Sequence, residues 1–238
     1  MLRVSVLAAA VYGVVCVSSA QAASLQVSPI SLDLTAPART SSVTLSNKSN
    51  GSTNIQIRAF KWTQIAGIDQ LAPANEVIVS PPAATLPPGK SYTIRVAHLN
   101  TPAQKSEESY RLLIDELPEV NVRRRASSVS FTTQYSIPVF FNVPSASANL
   151  HWKVLRKGKN LEVEVTNTGN RHAKIVNLSV ATPSKHVNFG AGLNGYVLPG
   201  STNSWTTNAG SIQTNSHVTI TSKGDDYDVN QAAVVSGG

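Results

Sequence analysis

Throughout the 238-residue chain, short apolar runs of period two alternate with turn-forming residues, and no helical period persists beyond about two turns. That pattern restricts the chain to an all-β fold, because a period of two places alternate side chains on one face of a pleated strand. Leu25 to Leu34, Ser42 to Leu45, Asn54 to Trp62, Val77 to Val79, Tyr92 to Leu99, Tyr110 to Leu117 and Val129 to Phe141 read as strands. Turn chemistry separates them at residues 36 to 38, at Asn47-Lys48-Ser49-Asn50-Gly51, at Pro81-Pro82, at Pro87-Pro88-Gly89 and at Thr101-Pro102. Val143-Pro144-Ser145-Ala146-Ser147 reads as an elbow, since proline removes a ladder donor and the small residues after it have little to bury.

A second set of strands follows the elbow: Leu150 to Leu155, Leu161 to Thr166, Ala173 to Val180, Tyr196 to Leu198, Ser204 to Thr206, Val218 to Ser222 and Asp228 to Val235. Lys157-Gly158-Lys159-Asn160 is a hairpin turn. The two halves echo each other faintly. Asn47-Lys48-Ser49-Asn50 after Val43-Thr44-Leu45 resembles Asn167-Thr168-Gly169-Asn170 after Val163-Glu164-Val165, as if each were the second strand of a sandwich and its turn. The expected division is 1–22 as a leader, 23–143 as a first domain and 144–238 as a second, each near the length of about 100 residues usual for an immunoglobulin-like unit.

The leader is read from Arg3, the apolar run Val4 to Val17 and the small residues of Ala20-Gln21-Ala22, a cleavable secretory pattern too short to anchor in a membrane. Cleavage before Ala23 removes Cys16, the only cysteine, so the exported chain must be held by apolar cores without disulfides. The net charge of +7 is spread out except at Arg123 to Arg125 and around Arg156, Lys157 and Lys159. No arginine-rich groove with interleaved aromatics occurs, which excludes nucleic acid as the partner and favours a basic loop that steers an acidic protein.

Catalytic chemistry finds no foothold. His98, His151, His172, His186 and His217 lack the spacing of a metal pair, no Gly-x-Ser-x-Gly elbow occurs, and Trp62, Trp152 and Trp205 are dispersed as core residues would be. Gly190, Gly192 and Gly195 form a Gly-x-Gly-x-x-Gly string, but it follows no βα unit and reads as a loop between strands. The chain is therefore expected to be no enzyme and to use no metal and no cofactor.

The run from Ser128 to Phe141 is long for a strand, and Val129, Phe131, Tyr135, Ile137, Val139 and Phe141 share its odd face. From the residues alone it reads either as an ordinary long edge strand or as one that offers its N-terminal half to a partner while the half containing Pro138 stays in its own sheet. With the blocks Val27-Ser28-Pro29-Ile30-Ser31-Leu32, Val43-Thr44-Leu45-Ser46-Asn47, Leu86-Pro87-Pro88-Gly89-Lys90-Ser91, Tyr110-Arg111-Leu112-Leu113-Ile114-Asp115-Glu116-Leu117-Pro118 and Tyr135-Ser136-Ile137-Pro138-Val139-Phe140, the chain resembles the periplasmic chaperones of chaperone-usher pilus assembly.

That resemblance implies two immunoglobulin-like β-sandwich domains in a boomerang, residence in the periplasm of a Gram-negative bacterium, and partners that are pilin subunits and an outer-membrane usher. It implies donor-strand complementation: the chaperone lends a strand to a pilin that lacks one, through Val129, Phe131, Thr133, Tyr135 and Ile137, with Thr133 underfilling its pocket. Self-association of the free chaperone over its donor strand stays open. The alternative is an exported structural or adhesive two-sandwich surface protein.

The resemblance also implies an anchor for the subunit's C-terminal carboxylate. Ser31 and Pro138 stand where the better-known branch carries its basic pair, so the ending Ile-Pro-Val-Phe looks instead like the archaic, Csu-type branch. Arg111 is then the first candidate anchor, as against a solvated strand arginine, and Arg95 is the second. Glu116 and Asp226 match acids of an interdomain charge network whose bridging base is replaced by Asn142. Arg123 to Arg125 flank the donor strand, either steering contact or guarding its edge. Processing before Ala23 is the first expectation to check: the intact mass of the exported protein should begin at Ala23, and a retained Cys16 would overturn the leader reading.

Overall fold

The computed structural model describes residues 25–100, 105–118, 132–224 and 228–237. The described strands of the first half are β1 (Leu25–Ser28), β2 (Leu32–Thr35), β3 (Thr40–Asn47), β4 (Thr53–Ile65), β5 (Ile68–Pro73), β6 (Val77–Ser80), β7 (Ala83–Leu86), β8 (Ser91–His98), β9 (Glu108–Leu117) and β10 (Gln134–Asn142). Those of the second half are β11 (Leu150–Lys157), β12 (Asn160–Asn167), β13 (Ala173–Thr182), β14 (Lys185–Asn188), β15 (Leu193–Val197), β16 (Thr202–Asn208), β17 (His217–Lys223) and β18 (Asp228–Gly237).

The first half stacks a sheet of order β1-β3-β8-β6 on one of order β2-β10-β9-β4-β5, with β7 pairing β4. Alternation sets the facing layers: Val43 and Leu45 of β3 and Ile94 and Val96 of β8 meet Ile55 and Ile57 of β4, Leu112 and Ile114 of β9, and Val139 and Phe141 of β10. The expected single strand Leu25 to Leu34 is two, because the chain changes layers at Pro29, which has no N–H to continue the ladder. β1 pairs antiparallel with β3 and β2 pairs parallel with β10, so both sheets are closed by one segment. β5, β7 and β14 were not expected from the sequence; all six residues of β5 are exposed and leave no period-two signal.

The second half is also a two-layer sandwich. β18 pairs β17 along Asp228 to Val234 and then β11 from Val235 to Gly237, passing from one layer to the other around Val163, Val165, Ile175, Val180, Ile220 and Val235. The architecture is two immunoglobulin-like β-sandwiches. The Gly190-x-Gly192-x-x-Gly195 string starts in the loop between β14 and β15 and ends inside β15, where Gly195 pairs with Ile175, and among the described residues no helix follows it.

The faint internal echo has a structural counterpart. Asn47 ends β3 and Asn167 ends β12, both with no solvent exposure. Asn47 donates to Gly51 O at 2.7 Å and Leu86 O at 2.8 Å and accepts from Ser49 N at 2.9 Å. Asn167 donates to Arg171 O at 2.7 Å and Val197 O at 3.0 Å and accepts from Gly169 N at 3.0 Å and Asn149 N at 3.1 Å. In each sandwich a buried amide shapes the turn and ties it to a neighbouring strand, satisfying backbone groups that burial would otherwise strand.

The elbow packs tightly on the second of these turns. Asn170 N donates to Ser147 O at 3.0 Å, Ser147 N to Asn170 Oδ1 at 2.9 Å, and Glu107 N reaches Asn170 O at 2.9 Å from the first domain. Gly169 lies under this strap, where a Cβ would sit 2.3 Å from Ser147 O and 2.6 Å from Asn149 N. At the other end of the first domain, Asp115 accepts from Arg58 Nη2 at 2.9 Å and from Gln134 Nε2, latching the start of β10 to β9 and β4.

Two consequences are measurable. Gly169→Ala should lower the urea-unfolding free energy by about 1–3 kcal/mol, since backbone on both sides leaves no room for the methyl. Burial alone would raise the Asp115 carboxyl, but the Gln134 hydrogen bond and the Arg58 bond and charge outweigh it and hold the group below its ordinary value. A depressed carboxylate stabilises the fold above its unfolded value and loses that contribution as pH falls through its folded one. Asp115→Asn should therefore cost less than about 1 kcal/mol at neutral pH, Arg58 being half exposed, and the gap from wild type should close below about pH 4 in urea melts across pH.

Candidate functional site

The outer face of the β2-β10-β9-β4-β5 sheet carries the chemistry. One row across it reads Pro138, Arg111, Phe60 and Pro73 on β10, β9, β4 and β5, and the alternation of β4 adds Arg58 and Trp62 to the same face. Where this face meets the second domain, Trp62 and Phe140 close against Tyr196 and Leu198 in a separate buried aromatic cluster. Trp62 meets Tyr196 edge-on with centroids 5.6 Å apart, and its buried Nε1 has no acceptor among the described residues.

Arg111 sits at the rim of that cluster. Its guanidinium carbon is 3.7 Å from the Trp62 ring centroid and 5.6 Å from that of Tyr196, so both domains contribute a π face to it. Among the described residues the carboxylate within 4 Å is Asp69 on β5, at 3.9 Å, which is beyond hydrogen-bond length. Burial pulls Arg111 below its ordinary value, while the Asp69 charge pulls it back. A largely buried cation with a planar fork of donors and no hydrogen-bonded anion is chemically suited to receive a carboxylate.

The junction beside it is held by paired polar groups. Glu107, its side chain fully buried, meets His172 Nδ1 at 2.6 Å and also accepts from His172 N at 3.2 Å and Ser109 Oγ at 2.9 Å. The His172 ring lies flat on Phe140, with centroids 3.6 Å apart and planes 11° from parallel. Arg171 reaches Asp33 at 2.8 Å, and Asn142 donates to the same carboxylate. Gln64 spans the domains with one amide, donating to Tyr196 O at 3.0 Å and accepting from Leu198 N at 3.0 Å.

Several expected residues fall elsewhere. Glu116 is not at the junction: it lies toward the far end of β9, about 30 Å of strand from Glu107, and its charge faces Tyr135. The junction acids are Asp33 and Glu107 instead. Asp226 lies outside the described residues, as do Val129, Phe131 and Arg123 to Arg125. Arg95 is exposed on β8 between Ser42 and Ser80, in a shallow hollow on the opposite outer face of the sandwich, and shares no site with Arg111.

The donor face is also shorter than the odd-position pattern implied. Ile137 is buried in the first domain's own core, and Tyr135 packs against that core with its hydroxyl donating to Leu25 O. Neither side chain is free for a partner in this state. Thr133 is half-buried and its carbonyl accepts from Glu116 N at 2.9 Å, extending the β9–β10 ladder upstream. Trp62, Gln64, Asp69, Glu107, His172 and Tyr196 were not singled out as site residues in the sequence. Phe140 was the available signal, since a large apolar residue on the even face of a run whose odd face is already apolar requires a second buried side.

Among the described residues no group of three or more His, Cys, Asp or Glu is placed to hold a metal, and no helix is long and apolar enough to cross a membrane. No curated protein matches the chain in sequence. Among solved structures, a chain of the CsuC–CsuE chaperone–tip subunit pre-assembly complex from archaic chaperone-usher Csu pili of Acinetobacter baumannii is 25% identical, with TM-score 0.66 over 91% of this chain and 100% of that one. The Salmonella enterica SafA pilin–SafB chaperone complex (16% identical, TM-score 0.62, 90% and 97% covered) and the Pseudomonas aeruginosa CupB2 chaperone (16%, 0.58, 87% and 98%) share the fold. Residues 24–147 match the family described as pili and flagellar-assembly chaperone, PapD N-terminal domain. With the first domain spanned by that match and the two-sandwich fold shared along nearly the whole length, the chain belongs to the PapD-like pilus-assembly chaperones.

Proposed function

We propose that this chaperone works in the periplasm by lending the segment upstream of β10 to a pilin subunit as a missing strand, while Arg111 receives the subunit's C-terminal carboxylate. The observation that carries the reading is Arg111 itself: a guanidinium stacked on Trp62 at the domain junction, where the one carboxylate within 4 Å among the described residues stands off at 3.9 Å. Val129 and Phe131 are the side chains that enter the subunit's groove, and Thr133 marks where the donor segment joins the domain's own ladder. Tyr135 and Ile137 then serve as the fixed base of the donor strand. A subunit with an open groove and unpaired edges would aggregate, and a lent strand satisfies both its apolar groove and its backbone.

On this reading residues 1–22 are removed on export, 23–143 form the subunit-binding domain and 144–238 the second, and the complex is handed to an outer-membrane usher. The branch is the archaic one, supported by the Ile137-Pro138-Val139-Phe140 ending and the likeness to the Csu complex. The chain acts by binding, without catalysis, and strand exchange in the pilin supplies the free energy for release.

Periplasmic co-expression with pilins from the same genome, followed by affinity capture, tests this. A one-to-one complex is expected. Phe131→Arg should reduce its recovery about tenfold or more, as the loss of a central aromatic anchor does, with unchanged circular dichroism. Arg111→Gln should reduce it by about tenfold. A well-folded wild type that captures no pilin would favour the structural surface-protein alternative.

A further inference from the structure

We propose that Asp69 is a built-in competitor of the subunit's carboxylate at Arg111, and that it sets how tightly the chaperone holds and how readily it releases its cargo. The inference rests on the reading of Arg111 as the anchor. Arg111 Nη2 and Asp69 Oδ2 are 3.9 Å apart, close enough for attraction and too far for a hydrogen bond.

Both partners are held at that distance. The guanidinium is fixed by stacking on Trp62 at 3.7 Å, with Tyr196 on a second side. The carboxylate is tethered by Gln64 Nε2, which donates to Asp69 Oδ1 at 3.0 Å while the same amide grips Tyr196 O and Leu198 N of the second domain. Asp69 therefore neutralises Arg111 without occupying its donor fork. An incoming C-terminal carboxylate gains the short bidentate bonds that Asp69 never makes, and the Asp69 charge opposes it from the side. Half of the Asp69 side chain is exposed and β5 is an edge strand, so the competitor stands on the solvent side of Arg111, the side from which a terminus would approach.

The test uses the full chaperone and a synthetic peptide of the last strand of the pilin recovered by capture, made with a free C-terminal carboxylate and with a C-terminal amide. The readout is the ratio of the two dissociation constants. Wild type should prefer the carboxylate, Arg111→Gln should lose the preference, and Asp69→Asn should widen it by about two- to fivefold, the range of a partly exposed ion pair. Asp69→Ser should act in the same direction, which separates the charge from the Gln64 hydrogen bond. If wild type discriminates and Arg111→Gln does not, yet neither Asp69 variant widens the ratio, Asp69 is an ordinary surface ion-pair partner and the proposal falls while the anchor stands. If wild type shows no preference for the carboxylate, the anchor reading fails and the competitor fails with it.

Discussion

From Ile137 to Asn142 strand β10 is buried on both faces, and the architecture depends on that double burial. Ile137, Val139 and Phe141 enter the first core, while Phe140 turns the other way and meets Trp62, Tyr196, Leu198 and His172. β9 pairs one edge from Gln134 to Phe141, while β2 pairs the other only from Val139 to Asn142, so the C-terminal part of β10 is held on both edges and its upstream part on one. Burying Phe140 alone is worth about 2–3 kcal/mol, and that energy is spent at the junction and not in the core. The same strand thus holds its own sandwich together and fixes the second domain against it, with its upstream end left at the boundary of the sheet.

Around that apolar contact the junction is polar but satisfied. Glu107, His172, Asp33, Arg171, Gln64 and Asn170 each have partners across the domain boundary or along it. A buried pair such as Glu107–His172 adds little net stability compared with an apolar replacement, but removing either half leaves an uncompensated group at a cost of about 3–5 kcal/mol. Such groups select one arrangement of the domains. This matters for Arg111, because it draws its π contacts from Trp62 of one domain and Tyr196 of the other, and loosening the junction would dismantle the proposed anchor.

The strands with the strongest alternation were legible from the sequence: β3, β8, β9, β12 and β17 match expected runs to within a few residues at each end. β5 was not, because an edge strand exposed on every residue has no buried face to leave a periodic trace. The break between β1 and β2 was missed although its trace is in the sequence: the buried residues pass from odd positions, Leu25 and Val27, to even ones, Leu32 and Leu34, a parity change that one continuous strand cannot make. Arg111 was legible as a candidate through resemblance. Glu116 was misplaced for a geometric reason, since Glu107 and Glu116 lie on or beside the same strand and its length carries them to opposite ends of the domain.

By itself the sequence determined the all-β class, the two sandwiches, the elbow and the paired asparagine turns, because each follows from local periodicity, turn chemistry or hydrogen-bonding capacity within a few residues. Tertiary structure alone decided which face of β10 serves which core, that Glu107 meets His172, and that Asp69 and Arg111 stand together beside Trp62 and Tyr196. Those pairings join residues tens of positions apart across two sheets and two domains. Their distances are set by strand order and register, which the local pattern of side chains does not encode.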